Sequence, residues 1–202
     1  MKKILVTGFE PFGGDLRNPS GESVFQLSAP ENTELRKLIL PVSWKDAFPK
    51  IEQIWDSWKP TAILMVGLAG GSSAIRIERL GVNLCGTTAD IDGLYANGSS
   101  QHGTERPILH DEREAFFTTY NHQRILEAIK KAGIPANYSF SAGTYICNYL
   151  LYSSLAKRAR ENSDIKIGFI HLPYADGQKE GVPSMPLDRM VKALELALTE
   201  IF

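Results

Sequence analysis

Apolar residues follow two different periods along this chain. One class is short, dense apolar runs closed by Gly or Pro: KKILVTG (2–8), LRKLILPV (35–42), TAILMVGLAGG (61–71), NYSFSAG (137–143) and IKIGFIHLPY (165–174). Such runs predict strands buried on both faces, and 61–71 reads as a central parallel strand. The other class has helical spacing. Ser43 and Asp46 open a helix through Trp55 and Trp58, Ile125, Leu126 and Ile129 lie in a helix over 121–132, and Leu187, Met190, Val191, Leu194, Leu198 and Ile201 share a side of a helix over 184–201. Short helices are predicted over ESVFQL and after 143, where Cys147, Leu150, Leu151 and Leu155 fall.

SAIRIERLGVNL (73–84) alternates with a slip of phase. Ile75 and Ile77 are odd-numbered, whereas Leu80, Val82 and Leu84 are even, which predicts a β-bulge at Glu78–Arg79. Residues 85–112 have no period and form the longest loop. Strands and helices alternate throughout with neither linker nor repeat. The expectation is one α/β domain over 1–202, with a largely parallel, twisted open sheet covered by helices.

Composition narrows the function classes. The 202 residues are 43% hydrophobic with a net charge of −1, and no Lys/Arg cluster suggests a nucleic-acid surface. No run approaches the ~18 apolar residues of a membrane span, and the opening MKKILVTGFEPFGG is interrupted too early for a signal peptide. Cys85 and Cys147 make neither a CxxC nor a metal-ligand spacing. A reduced, soluble, cytoplasmic protein is expected.

Sites in open α/β sheets collect beyond the carboxyl ends of strands, where three polar residues are expected. Cys147 falls in the first turn of a helix, where unpaired N–H groups and the helix dipole favour thiolate, although free cysteine is also a common core residue. His171 ends an apolar run and could serve that thiol as general base. Glu78 sits at the phase slip, where it either pairs with Arg79 on the surface or orients His171. Cys85, between Leu84 and Gly86, reads as packing. GFEPFGG (8–14) lacks both G-x-G-x-x-G spacing and Gly-Lys-Ser/Thr, so Phe9 and Phe12 suit an apolar pocket wall better than a phosphate cradle. From the residues alone, catalysis and packing both stay open for Cys147.

Four ordered stretches, VTGFEPFGG…NPS (6–20), VGLAGG…IERLGVN (66–83), SAGTYICN (141–148) and GFIHLPY (168–174), together resemble the pyroglutamyl peptidase I family of cysteine peptidases, also called pyrrolidone-carboxylate peptidases. The resemblance implies an α/β/α sandwich, a Cys147–His171–Glu78 triad and release of an N-terminal pyroglutamyl residue from peptides. It places the ring pocket at Phe9 and Phe12, with Asn18 nearby, Tyr145 and Ile146 before the nucleophile, and Leu68 contributing through its backbone. Where the family shows I-P-D-N-x-G this chain reads TTADIDGLYANG (87–98), with Ile91 the nearest equivalent pocket residue. The resemblance further implies no metal or cofactor, a homotetramer, and neither nucleic-acid nor membrane partners. A related cysteine amidase acting on another small acyl group, or a non-catalytic binding protein on the same fold, are the alternatives.

Overall fold

A computed structural model describes residues 1–202. In chain order the elements are β1 (Lys2–Phe9), α1 (Pro19–Gln26), β2 (Thr33–Leu40), α2 (Ala47–Trp58), β3 (Ala62–Leu68), β4 (Ile75–Glu78), β5 (Leu80–Val82), β6 (Ala115–Phe117), α3 (His122–Lys131), β7 (Ala136–Ser139), α4 (Ile146–Arg160), β8 (Lys166–Leu172), β9 (Tyr174–Ala175), β10 (Ser184–Met185) and α5 (Leu187–Thr199). Six strands form the central sheet in the order β2-β1-β3-β8-β4-β7. All neighbours run parallel except β4 and β8, so β4 and β7 point opposite to the other four.

Alternation along the strands divides the core into two faces. Ile4 and Val6, Leu64 and Val66, Ile75 and Ile77, and Ile170 and Leu172 pack with residues of α1, α3 and α5 in one cluster of 24 buried residues. Leu5, Ile63, Met65, Ile167 and Phe169 pack with α2 and α4 in another of 21. Helices on both faces of a mostly parallel sheet make an α/β/α sandwich, as expected. Of the five helices, none is long and apolar enough to cross a membrane.

The expected bulge at Glu78–Arg79 is instead a change of sheet. β4 ends at Glu78 within the central sheet, and β5 begins at Leu80 in a separate two-stranded sheet with β6. Each strand keeps its own alternation, so the phase changes where the partner changes. The run at 137–143 stops pairing at Ser139, because Phe140 is exposed and Gly143 takes φ 79° in the turn toward α4. α5 starts at Leu187 rather than 184, since Ser184 and Met185 pair with β9. α1 starts at Pro19, earlier than the pattern suggests. Asn18 caps it by accepting from Ser20 N–H, and Pro at the first position is preorganised for the helix.

Candidate active site

The face of the sheet toward α4 is not wholly apolar. Its parity places His171 two residues after Phe169 on β8, and it places Arg76 and Glu78 beside Ile75 and Ile77, whose side chains point the other way. Register brings the polar side chains together: His171 lies opposite Arg76 on one side and Gly67 of β3 on the other. Glu78, two residues deeper along the reversed β4, is fully buried. His171 Nδ1 stands 2.8 Å from Glu78 Oε1. A carboxylate only accepts, so Nδ1 carries the proton and donates it, and Nε2 remains the free basic nitrogen.

Backbone contacts hold this pair in place. Tyr120 is buried, and its hydroxyl reaches both the Glu78 carbonyl at 2.8 Å and the Phe169 carbonyl at 3.0 Å. Its ring lies against Gly168, where any Cβ would meet Tyr120 Cδ2 at 2.3 Å. Glu78 Oε2 has no hydrogen-bond donor. The nearest cation to Glu78 is Arg76, with Nε 3.5 Å from Oε1, while the Arg79 guanidinium turns away to lie over Tyr138 and Phe140. The alternative of a surface Glu78–Arg79 ion pair is therefore overturned.

Cys147 is the second residue of α4, whose first turn has no side-chain cap, so its N–H groups are left for another acceptor. A Cβ on Gly67 would approach Cys147 Sγ to 3.0 Å and the Phe169 ring to 2.9 Å. The thiol therefore lies over Gly67, the strand neighbour of His171. Asn148 anchors the same turn from the other side: its Oδ1 accepts from Val82 N–H, and its Nδ2 donates to the carbonyls of Val82 and Leu84. The expected thiolate is not what this environment favours. Burial first, and then the charge of Glu78, push the Cys147 thiol up to about 12, against a smaller opposing effect of its own backbone N–H. Both leading effects favour the protonated thiol in the resting site.

Phe9, Phe12, Val42, Leu68, Tyr145, Ile146 and Cys147 line a narrow apolar cavity, with about 240 Å³ of atom-free space only when the open solvent at its mouth is included. Five of the seven predicted pocket residues thus meet around the thiol. Asn18 does not line it: its Nδ2 donates to the Glu10 carbonyl, fixing the chain that carries Phe9 and Phe12. Ile91 is half exposed and outside the lining, with its N–H donated to the Val42 carbonyl. The loop around it is nevertheless tied down. Asp90 is buried and accepts from the N–H groups of Trp44, Asp92 and Leu94, and Tyr145 donates its hydroxyl to the Ala89 carbonyl.

The position of the site relative to the strands also differs from expectation. It lies beyond the carboxyl ends of β1, β3 and β8, but β4 enters from that side and reaches Glu78 at its deep end. A larger hollow lies among Met1, Lys2, Asn32, Thr61 and Phe202, at the opposite end of β1, and holds neither cysteine nor histidine. Pattern reading missed Gly67, Arg76, Tyr120 and Asn148. Gly67 alone had a visible signal, a glycine interrupting an otherwise apolar strand.

A sequence profile described as pyroglutamyl peptidase matches residues 2–202. The chain belongs to the pyroglutamyl peptidase family. Within it, the pyrrolidone-carboxylate peptidase of Yersinia pestis strain Pestoides F is 35% identical over 204 residues, covering 98% of this chain and 92% of that protein. The pyrrolidone carboxyl peptidase of Thermococcus litoralis superposes with a TM-score of 0.91 at 35% identity, over 100% of this chain and 93% of that one. Pyroglutamyl peptidase I of Bacillus amyloliquefaciens gives 0.89, also at 35% identity, over 99% and 94%. The family match extends across both layers of helices and the whole sheet.

Proposed function

We propose that the chain hydrolyses the amide bond following an N-terminal pyroglutamyl residue, using Cys147 as nucleophile, His171 as general base and then general acid, and Glu78 as the residue that orients His171. The observation that carries this reading is the 2.8 Å contact between His171 Nδ1 and buried Glu78. That contact leaves Nε2 basic on the face where α4 presents the thiol.

The lactam ring of pyroglutamate is small, flat and uncharged, and an apolar cavity faced by Phe9, Phe12 and Tyr145 suits it. With the sulfur resting as a thiol, attack is coupled to proton transfer. The S–C bond forms as Nε2 takes the thiol proton, and charge gathers on the carbonyl oxygen. In this reading the uncapped N–H groups at the start of α4 receive that oxyanion. Collapse breaks the C–N bond, and the imidazolium gives its proton to the departing amine. Water, deprotonated by His171, then opens the thioester, releasing pyroglutamic acid and returning the proton to sulfur. Throughout, Glu78 stabilises the positive imidazole and holds its tautomer.

Release of a chromogenic amine from a pyroglutamyl amide tests this reading, with the prolyl analogue alongside. Proline lacks the lactam carbonyl, so a pocket that hydrogen-bonds the lactam carbonyl should reject it. Equal turnover of the two, or unchanged turnover by Cys147→Ala, would overturn it. The two cysteines are unbonded, which agrees with the proposed cytoplasmic setting. A homotetramer is proposed on family resemblance, and exposed Leu16, Phe25, Phe117 and Phe140 supply apolar surface for such contacts; sedimentation measures it.

A further inference from the structure

A second hollow adjoins the apolar cavity. It is lined by Leu68, Ala69, Arg76, Ser141, Ala142, Gly143 and His171, with about 560 Å³ of atom-free space including open solvent. The two share Leu68, and they divide the chemistry: Cys147 lines the apolar cavity and His171 lines the other. In a hydrolysis where His171 protonates the departing amine, the acyl ring occupies the apolar side and the leaving group occupies the side of His171. The second hollow is therefore where the residue after pyroglutamate sits.

Arg76 is the lining residue with a permanent charge. It is held rather than free: one terminal nitrogen donates to Ser139 Oγ at 2.6 Å and to the Ser141 carbonyl at 2.9 Å, and its Nε faces Glu78 at 3.5 Å. Its other terminal nitrogen has no protein partner, and the side chain remains one-third exposed. A guanidinium fixed on one edge and open on the other is preorganised to receive a carboxylate. No acidic side chain lines the hollow; Glu78 is buried behind Arg76 and already paired with His171.

We infer that Arg76 is a specificity-determining residue for the leaving group, favouring substrates with a carboxylate at the residue after pyroglutamate. This rests on the function proposed above. The carboxylate can come from an acidic side chain, or from the free α-carboxylate of a pyroglutamyl dipeptide. Both present the same anion to the open edge of Arg76, at different reach.

The test compares kcat/KM within matched pairs. Pyroglutamyl-Glu-amide against pyroglutamyl-Gln-amide reads the side chain, and pyroglutamyl-Ala against pyroglutamyl-Ala-amide reads the terminus. For a partly exposed charge pair, the expected preference for the anion is about three- to tenfold at low salt in at least one pair. It should shrink severalfold as salt approaches about 1 M. Arg76→Gln should bring the ratio to about one, whatever it does to absolute turnover through Glu78, and Arg76→Lys should keep part of it. Whichever pair shows the effect identifies the source of the carboxylate. Equal rates within both wild-type pairs, or a preference unchanged in Arg76→Gln, would overturn the inference while leaving the peptidase reading intact. If Arg76→Gln does not fold, the wild-type ratios and their salt dependence still decide. Failure to cleave any of the four substrates would instead overturn the peptidase reading.

Discussion

The two faces of the central sheet are built by the same alternation, yet they have different uses. Toward α1, α3 and α5 the strands contribute Ile4, Val6, Leu64, Val66, Ile75, Ile77, Ile170 and Leu172, a continuous apolar surface. Toward α4 the same strands contribute Gly67, Arg76, Glu78 and His171 among the apolar residues. A buried carboxylate and a nearly buried imidazole are costly unless paired; here Glu78 Oε1 and His171 Nδ1 pair, while Glu78 Oε2 has no donor. Chemistry is concentrated on one face, while the other supplies much of the burial that holds the register. Substitutions on the two faces should therefore fail in different ways.

The largest expected effect is on turnover. Cys147→Ala should abolish release from a pyroglutamyl amide. Glu78→Gln should lower kcat by roughly a hundred- to ten-thousand-fold, since tautomer control and charge stabilisation of His171 are both lost. The same Glu78→Gln change should have an opposite sign in a second assay. The Cys147 thiol ionises only toward about 12, and the Glu78 charge is one reason. Iodoacetamide alkylation of wild type should therefore climb through the alkaline range above pH 9, as thiolate forms. In Glu78→Gln the climb should begin at lower pH. An unshifted alkylation profile would remove Glu78 from the surroundings of the sulfur.

Gly67→Ala sharpens the comparison at the boundary between packing and chemistry. Its Cβ would press on both Cys147 Sγ and the Phe169 ring. An overpacking cost of about 1–3 kcal/mol is expected, with turnover falling further than stability because the thiol is displaced. Leu64→Ala on the opposite face should do the reverse. It should lower unfolding free energy by about 2–5 kcal/mol in denaturant titration, while turnover per folded molecule stays near wild type. The smallest effect is expected from Tyr145→Phe, which loses only the hydroxyl bond to Ala89. About 1 kcal/mol or less is expected, seen as a modest rise in KM as the loop around Asp90 loosens.

Much of this was legible in the chain. β1, β3 and β8 are apolar enough to be read as buried strands, and Phe9, Phe12, Tyr145 and Ile146 meet around the thiol. What was not legible depends on partners rather than on period. Ile75 and Ile77 show a strand but not its direction, so the reversal of β4 could not be read. The slip at Glu78–Arg79 gave the right position and the wrong event, because a bulge and a change of sheet leave the same phase shift. β6, β9 and β10 are two or three residues long, too short for any period. Arg76, two residues before Glu78, looks like any strand charge until register sets it opposite His171. The preference of the thiol for its proton depends on burial among residues distant in sequence, which the position of Cys147 at a helix start does not reveal.

The strand order has a consequence for how the molecule comes into being. β8 lies between β3 and β4, yet it is the last of the six sheet strands to be synthesised. Before it arrives, a growing chain can pair β1 with β2 and β3, and β4 with β7, but these two groups have nothing to join them. Each leaves an unpaired edge, and Glu78 waits 93 positions ahead of its imidazole. The strand that completes the sheet also carries His171. The nascent polypeptide thus gains the His171 imidazole, the proposed general base, and its continuous backbone scaffold together, and a chain stopped short of β8 lacks both.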